Sequence, residues 1–217
     1  MSRNLLIVGA GGLGRELYSF AERHPDCGSA WRLGGFLDDA PRELAGAHPG
    51  RIVGTVSDYQ PRADDLFLVG IGAPVARRNC VLALKARGAE FLSFCHPTAI
   101  VGRNVRLGEG VILLAYVNLT CDIEVGAHTI FLSCSGAGHD ARIGPYCQIS
   151  SGCDIMGHVT VGEGVLLGSG ARLFPRVKVG DYATVGTGSV VITRVAPYET
   201  VFGNPARRLM MKPPSLA

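Results

Sequence analysis

From Cys95 to Ala196 the apolar positions recur every six residues, through seventeen hexads without an insertion. One column runs from Cys95, Val101 and Leu107 through Ile143, Ile149 and Ile155 to Val185 and Val191, and Ala137 is its only small member. A companion column four places on carries small or β-branched residues, from Ala99 and Val105 through Ala141, Cys147 and Cys153 to Ser189 and Val195. No charge enters either column. One large and one compact inward position per hexad predicts a parallel β-helix, whereas packed helices need a period near 3.6. Three hexads then close one triangular coil, and coils stack about 4.8 Å apart. Glycine often follows the column residue, as at Gly102, Gly126 and Gly144, and is expected there at corners whose backbone enters conformations that side chains disfavour. The ends and edges of such a stack call for a cap and for oligomerisation.

Upstream the pattern changes. Residues 4–8 read as a buried strand, 9–14 (Gly-Ala-Gly-Gly-Leu-Gly) as a tight turn, and 15–23 as a helix with Leu17, Tyr18 and Ala21 on one face. Residues 33–37 form a second strand ending at Asp38 and Asp39, and 65–69 a third, followed by the turn 70–72 and a helix over 74–87. Strand, helix, strand, strand, helix at this size is a small Rossmann-like α/β unit. The fold class is therefore α/β plus β, with a Rossmann-like domain over 1–91, a β-helix over 92–196 and a C-terminal turn and tail over 197–217, of which 213–217 read as disordered.

Composition narrows the function classes. A net charge of +3 without a basic run gives no support for nucleic acid binding. No apolar stretch approaches the roughly 18 residues of a membrane span, and the N-terminus lacks a signal-peptide pattern, so the protein reads as cytoplasmic. The seven cysteines are odd in number and include no C-x-x-C pair, which points to reduced, structural thiols; Cys95, Cys147 and Cys153 fall on inward columns.

The glycine turn carries two readings. Gly11, Gly12, Leu13 and Gly14, opening a helix, let a phosphate approach backbone N–H groups, and Asp38, Asp39 and Gly72 sit at neighbouring strand ends suited to ribose or uracil. A dinucleotide needs two such halves, and this chain has one, so a nucleotide or sugar-phosphate ligand is favoured over NAD or FAD. The alternative is a purely structural turn.

In the solenoid, His139 occupies the outward third position of its hexad among glycine and alanine, and Asp140 follows it. That pair suits a general base with a carboxylate partner. Residues eighteen apart share a corner, which stacks Asp122, Asp140, His158 and Arg176 and places Gly157 one coil above His139. A merely solvated corner histidine is the alternative for His139, and for His158 even more so. His24, His48 and His128 read as surface or interface residues, and His96 with Pro97 as the cap of the first coil. No metal is expected, since no H-x-x-x-x-H pair supplies two ligands from one face.

The hexads, the Gly-His-Asp-Ala-Arg-Ile-Gly run over 138–144 and the ending Phe-Gly-Asn-Pro-Ala-Arg over 202–207 together resemble the left-handed β-helix acyltransferases. With the glycine turn, Phe36-Leu37-Asp38-Asp39 and Gly70-Ile71-Gly72, the chain over 4–209 is similar to the sialic acid O-acetyltransferase and bacterial amino-sugar N-acetyltransferase family of the NeuD/PglD type. The resemblance implies homotrimers with active sites between neighbouring β-helices and acetyl-CoA as co-substrate. It implies His139 as general base, Asp140 as its partner and the Gly157 N–H as a holder of the thioester oxygen. Gln148, Ser169 and Thr187 would line the acetyl-CoA path, and Arg207 and Arg208 would meet its phosphates. Gln148 replaces a histidine of the related amino-sugar enzyme, and Leu13 stands where relatives that act on nucleotide-linked sugars carry histidine. N-acetylation of a nucleotide-linked amino sugar is favoured over O-acetylation of sialic acid or another sugar hydroxyl. A γ-carbonic-anhydrase-like hydratase and a noncatalytic solenoid binding module are the remaining readings.

Overall fold

The computed structural model describes residues 2–209 apart from 41–43 and 45–48; His48 and the tail from 210 onward lie outside the described residues. The N-terminal unit is a parallel sheet of β1 (Arg3–Val8), β2 (Trp31–Leu37), β3 (Ile52–Gly54) and β4 (Asp65–Val69), ordered β3-β2-β1-β4. It carries two helices, α1 (Gly12–Glu22) and α2 (Pro74–Lys85). Buried Leu5, Ile7, Phe36 and Leu68 pack with Leu17 and Ala21 of α1, and Val8, Phe67 and Val69 pack with Val81 and Leu84 of α2. β3 escapes sequence reading because it is three residues long and none of them is fully buried. α1 starts at Gly12 rather than at 15, since both glycines of its first turn are helical.

The solenoid contributes two-residue strands from β5 (Phe94–Cys95) to β21 (Val190–Val191), which form three parallel sheets. Phe131, for example, pairs with Leu113 below and Ile149 above, a step of eighteen residues per coil. One face pairs Ile112, Ile130, Gln148, Leu166 and Thr184, and ends in a hairpin of β22 (Thr200–Gly203) and β23 (Ala206–Arg208). We call it the docking face, because Ile112, Ile130 and Leu114 join the core that holds Leu5, Leu17, Trp31 and Phe36. The next face, the open face, pairs Asn118, Gly136, Asp154, Arg172 and Val190. The third pairs Arg106, Glu124, Arg142, Thr160 and Lys178, and is the charged face.

The corners correct one expectation. Glycines that follow the column are not in the left-handed region; they are required because the next coil comes too close, a β-carbon on Gly102 falling 1.5 Å from the Thr120 carbonyl oxygen and one on Gly144 falling 2.5 Å from that of Gly162. The positive φ angles occur two residues later, at Asn104, Asp122, His128, Asp140, Tyr146, His158 and their equivalents. Most of these positions are not glycine, because the corner holds them in place and leaves their side chains pointing outward.

Both inward columns are buried from Val111 and Leu113 upward. The first coil is different. Cys95 is exposed, and Val101 and Leu107 are 40% and 36% exposed, so Cys95 is not the core thiol that its column predicts. His96 packs edge-on against Phe20 of α1 and leaves this end of the column open. Cys147 and Cys153 are buried as expected, and their thiols donate to the carbonyls of Gly162 and Gly168 in the next coil. Burial pushes them up to about 12 and about 11, which keeps them as inert thiols.

α2 runs along the corner between the charged and docking faces. Arg78 pairs with Glu163 at 3.1 Å, and Lys85 pairs with Glu109 lower down. His128 belongs to this corner and is buried at 2% exposure between Phe91 and Tyr146, not on the surface. His24 is likewise engaged, packing on Trp31 and Phe94 with Nε2 3.2 Å from the Cys95 carbonyl oxygen. No described helix is long and apolar enough to cross a membrane.

Candidate functional site

Two sites emerge from this frame. The first lies at the corner between the open and charged faces, where residues 121, 139 and 157 stack beside 122, 140, 158 and 176. The His139 Nδ1 lies 2.8 Å from Asp140 Oδ2, a hydrogen bond between sequence neighbours that the positive φ of Asp140 permits. His158, one coil on, sets its ring perpendicular to that of His139 at 5.0 Å and brings Nε2 within 3.8 Å of the same carboxylate oxygen. The His139 hydrogen bond, followed by the charges of His158, His139 and Arg142, holds the Asp140 carboxyl below the usual carboxylate range. Asp140 is thus a carboxylate acceptor beside His139 Nδ1, and His139 Nε2 is left without a hydrogen-bond partner among the described residues.

Beside Nε2 lies Gly157. The nearest atom to a β-carbon there would be His139 Nε2 at 2.7 Å, so glycine is what admits the ring. The Gly157 carbonyl accepts from Arg176 N, while its own N–H makes no hydrogen bond among the described residues. An imidazole nitrogen and an N–H donor, neither with a hydrogen-bond partner among the described residues, therefore share one open corner. His139, Asp140 and His158 also offer ligand atoms within 4.8 Å of one another, although Asp140 Oδ2 is already engaged by His139.

The second site is a cavity of about 420 Å³ at the C-terminal ends of β1, β2 and β4. Gly11, Gly12, Leu13, Asp38, Asp39 and Gly72 line it, together with Cys80 of α2 and Val56, which the sequence reading did not single out. Gly14 lies behind this wall: a β-carbon on it would fall 1.8 Å from the Gly9 carbonyl oxygen, so its smallness seats α1 against the end of β1. The α1 N-terminus has no side-chain cap, and Gly11, Gly12 and Leu13 at that terminus line the cavity. Asp38 accepts from Ala10 N at 2.7 Å and from Ala40 N at 2.9 Å, and Asp39 accepts from Ser57 N at 3.0 Å. These carboxylates thus shape the loops of the cavity as well as lining it.

The remaining candidates are spread out. Ser169 and Thr187 stack one coil apart at the corner between the docking and open faces, a different corner from that of His139. Gln148 sits on the docking face at 5% exposure, and its Oε1 accepts from Arg77 of α2 at 3.0 Å. It therefore lies in the seam between the two units, a placement that column reading cannot supply because the cover comes from the other domain. Arg207 and Arg208 are exposed on β23, with Arg208 3.8 Å from Glu199.

Comparison with known proteins places both units. Residues 4–84 match the PglD N-terminal domain and residues 140–175 match the bacterial transferase hexapeptide repeats. The UDP-N-acetylbacillosamine N-acetyltransferase of Bacillus subtilis (strain 168) is 31% identical over 118 residues, covering 52% of each chain, so the match spans about half the length of that relative. Among solved structures, a histidine-to-asparagine variant of perosamine N-acetyltransferase from Caulobacter crescentus, in complex with CoA and GDP-perosamine, superposes with a TM-score of 0.87 at 26% identity. That superposition covers 96% of this chain and 97% of the other. The acetyltransferase domain of PglB from Neisseria gonorrhoeae FA1090 gives 0.86 at 26% identity over 96% and 100% of the two chains. A Rossmann-like sheet docked on a hexapeptide β-helix, with each unit matched by its own family model, makes this chain similar over nearly its whole length to sugar N-acetyltransferases that join a PglD-type N-terminal domain to hexapeptide repeats.

Proposed function

We propose that the protein transfers the acetyl group of acetyl-CoA to the amine of a nucleotide-linked amino sugar, with His139 as general base. The observation that carries this reading is the His139–Asp140 pair beneath Gly157, on a chain that also holds a nucleotide-sized cavity. Its relatives with known ligands support the substrates, one of them being bound to CoA and GDP-perosamine.

In this mechanism the cavity between β1, β2 and β4 takes the nucleotide, its phosphates meeting the α1 N-terminus. The sugar amine attacks the thioester carbonyl carbon, passes its proton to His139 Nε2, and forms the new C–N bond. The Gly157 N–H donates to the oxygen that becomes negative, where a fixed donor is worth most. Collapse breaks the C–S bond and returns the proton to the departing thiolate. Asp140 keeps the imidazole in the tautomer with Nε2 free and stabilises the imidazolium that forms.

His139 and the Ser169–Thr187 pair occupy different corners of one prism. A CoA that touches both sets of residues runs between two copies of the chain, which supports a homotrimer with sites at the subunit boundaries. The test is a panel of nucleotide-linked and free amino sugars and sialic acids incubated with acetyl-CoA and read by mass spectrometry. Acetylated nucleotide amino sugar is the expected product. Modification of sugar hydroxyls alone would replace the acceptor class, and no product with any acceptor would overturn the reading.

A further inference from the structure

Arg77 is the largest fully buried side chain among the described residues, with 0% exposure, and no carboxylate accompanies it. Its guanidinium instead meets five oxygens that are all neutral. Nη1 donates to the carbonyls of Ile71 at 2.5 Å and Gly72 at 3.2 Å, and to Gln148 Oε1 at 3.0 Å. Nη2 donates to the carbonyls of Tyr146 and Cys147, each at 2.8 Å. Two of these acceptors belong to residues that line the N-terminal cavity, and three belong to the solenoid. The solenoid segment is moreover part of the coil that carries His139 and Asp140, one strand further along the chain.

Burying a cation without a counter-ion is costly, and stability alone is served as well by an apolar side chain in such a seam. What an apolar side chain cannot do is fix two backbone segments from different domains at hydrogen-bond precision. We infer that Arg77 is a positioning residue that ties the Ile71–Gly72 wall of the nucleotide cavity to the coil bearing His139, and so sets where a nucleotide-held acceptor stands relative to the base. The inference rests on the functional reading above. Gln148 then serves the acceptor side rather than the CoA path.

The experiment uses Arg77→Lys, Arg77→Met and Gln148→Met in the full-length protein. UDP and GDP affinities are measured by calorimetry, amide hydrogen exchange is followed at 70–73, and kinetics are run with the acceptor that the wild type acetylates fastest. The expected result is nucleotide affinity weakened about tenfold or more in the Arg77 variants, as for one or two lost hydrogen bonds to a charged group. Exchange at 70–73 should quicken, KM for the nucleotide-linked acceptor should rise in step, and KM for acetyl-CoA should stay put. Lysine should rescue only in part, because one ammonium cannot span both segments. Gln148→Met removes a single acceptor and should show a smaller change of the same kind, which keeps the test open if the Arg77 variants fail to fold. Lowered thermal stability with nucleotide affinity, exchange and acceptor KM all unchanged would reduce Arg77 to a structural staple and overturn the inference. A wild type that acetylates nothing would instead sink the functional reading, while the calorimetry and exchange still decide the role of Arg77.

Discussion

Gly157 lies directly above the His139 ring, leaving no room for a β-carbon, which would stand 2.7 Å from Nε2. Gly157 has no left-handed φ, so alanine is tolerated by its backbone, and the clash falls on the free end of a side chain. Gly157→Ala should therefore fold with a melting temperature near that of the wild type while turning the imidazole out of line. A misplacement of about 1 Å at a reacting group costs about 100-fold in rate. Steady-state kinetics beside a thermal melt would check it, and unchanged kcat would mean that the ring does not work in the position seen.

Removing the proposed base should separate chemistry from folding more sharply. His139→Asn leaves the exposed corner intact and should lower kcat by about 100- to 10,000-fold, the usual contribution of a general base. Asp140→Asn should cost less, about tenfold, since it removes the orienting carboxylate but leaves the imidazole. Retained CoA binding in both variants is part of the expectation, and equal activity of His139→Asn and wild type would remove His139 from the mechanism.

The N-terminal cavity depends on a backbone contact elsewhere. A β-carbon at Gly14 would fall 1.8 Å from the Gly9 carbonyl oxygen and 2.9 Å from its carbon, neither of which can swing aside. Gly14→Ala should lift α1 from the end of β1, destabilise the N-terminal unit by about 2 kcal/mol or more, and abolish saturable UDP or GDP binding. Calorimetry with both nucleotides beside denaturant unfolding would show it, and wild-type affinity would place the nucleotide elsewhere.

His128 predicts an acid limit to stability. Burial between Phe91 and Tyr146 pushes its imidazole down to about 4, and Nδ1 has no hydrogen-bond partner among the described residues. The unfolded chain, with an ordinary histidine near 6.5, binds this proton first, so stability is full above that value. It falls as pH drops from about 6.5 toward 4, by up to roughly 3 kcal/mol, and this group adds no further loss below. Denaturation midpoints from pH 7.5 to 4.5 for wild type and His128→Phe should diverge in slope. Parallel slopes would show that another group governs the acid side.

Periodicity reveals an interior better than it reveals an assembly. Leu113, Ile149 and Val159 could be assigned to the core from spacing alone, because a period of six with no charge leaves one packing solution. Val101, Leu107 and Cys95 obey the same spacing and are exposed, because burial at the end of a stack needs a neighbouring layer and the first coil has none beneath it. Gln148 and His128 are buried for a reason that spacing does not carry: α2 and Phe91, from another part of the chain, cover positions that the hexad marks as outward.

The chain's own order of residues therefore determined the solenoid, the glycine-turn α/β unit and the corner at which His139, Asp140, His158 and Gly157 meet, since each follows from a local repeat or from an eighteen-residue step. Only the tertiary structure decided which face of the prism receives the N-terminal unit, that Arg77 enters that seam without a counter-ion, and that Asp38 and Asp39 brace the loops they border. Those outcomes depend on the fit between surfaces far apart in sequence, and a fit of that kind leaves no period to read.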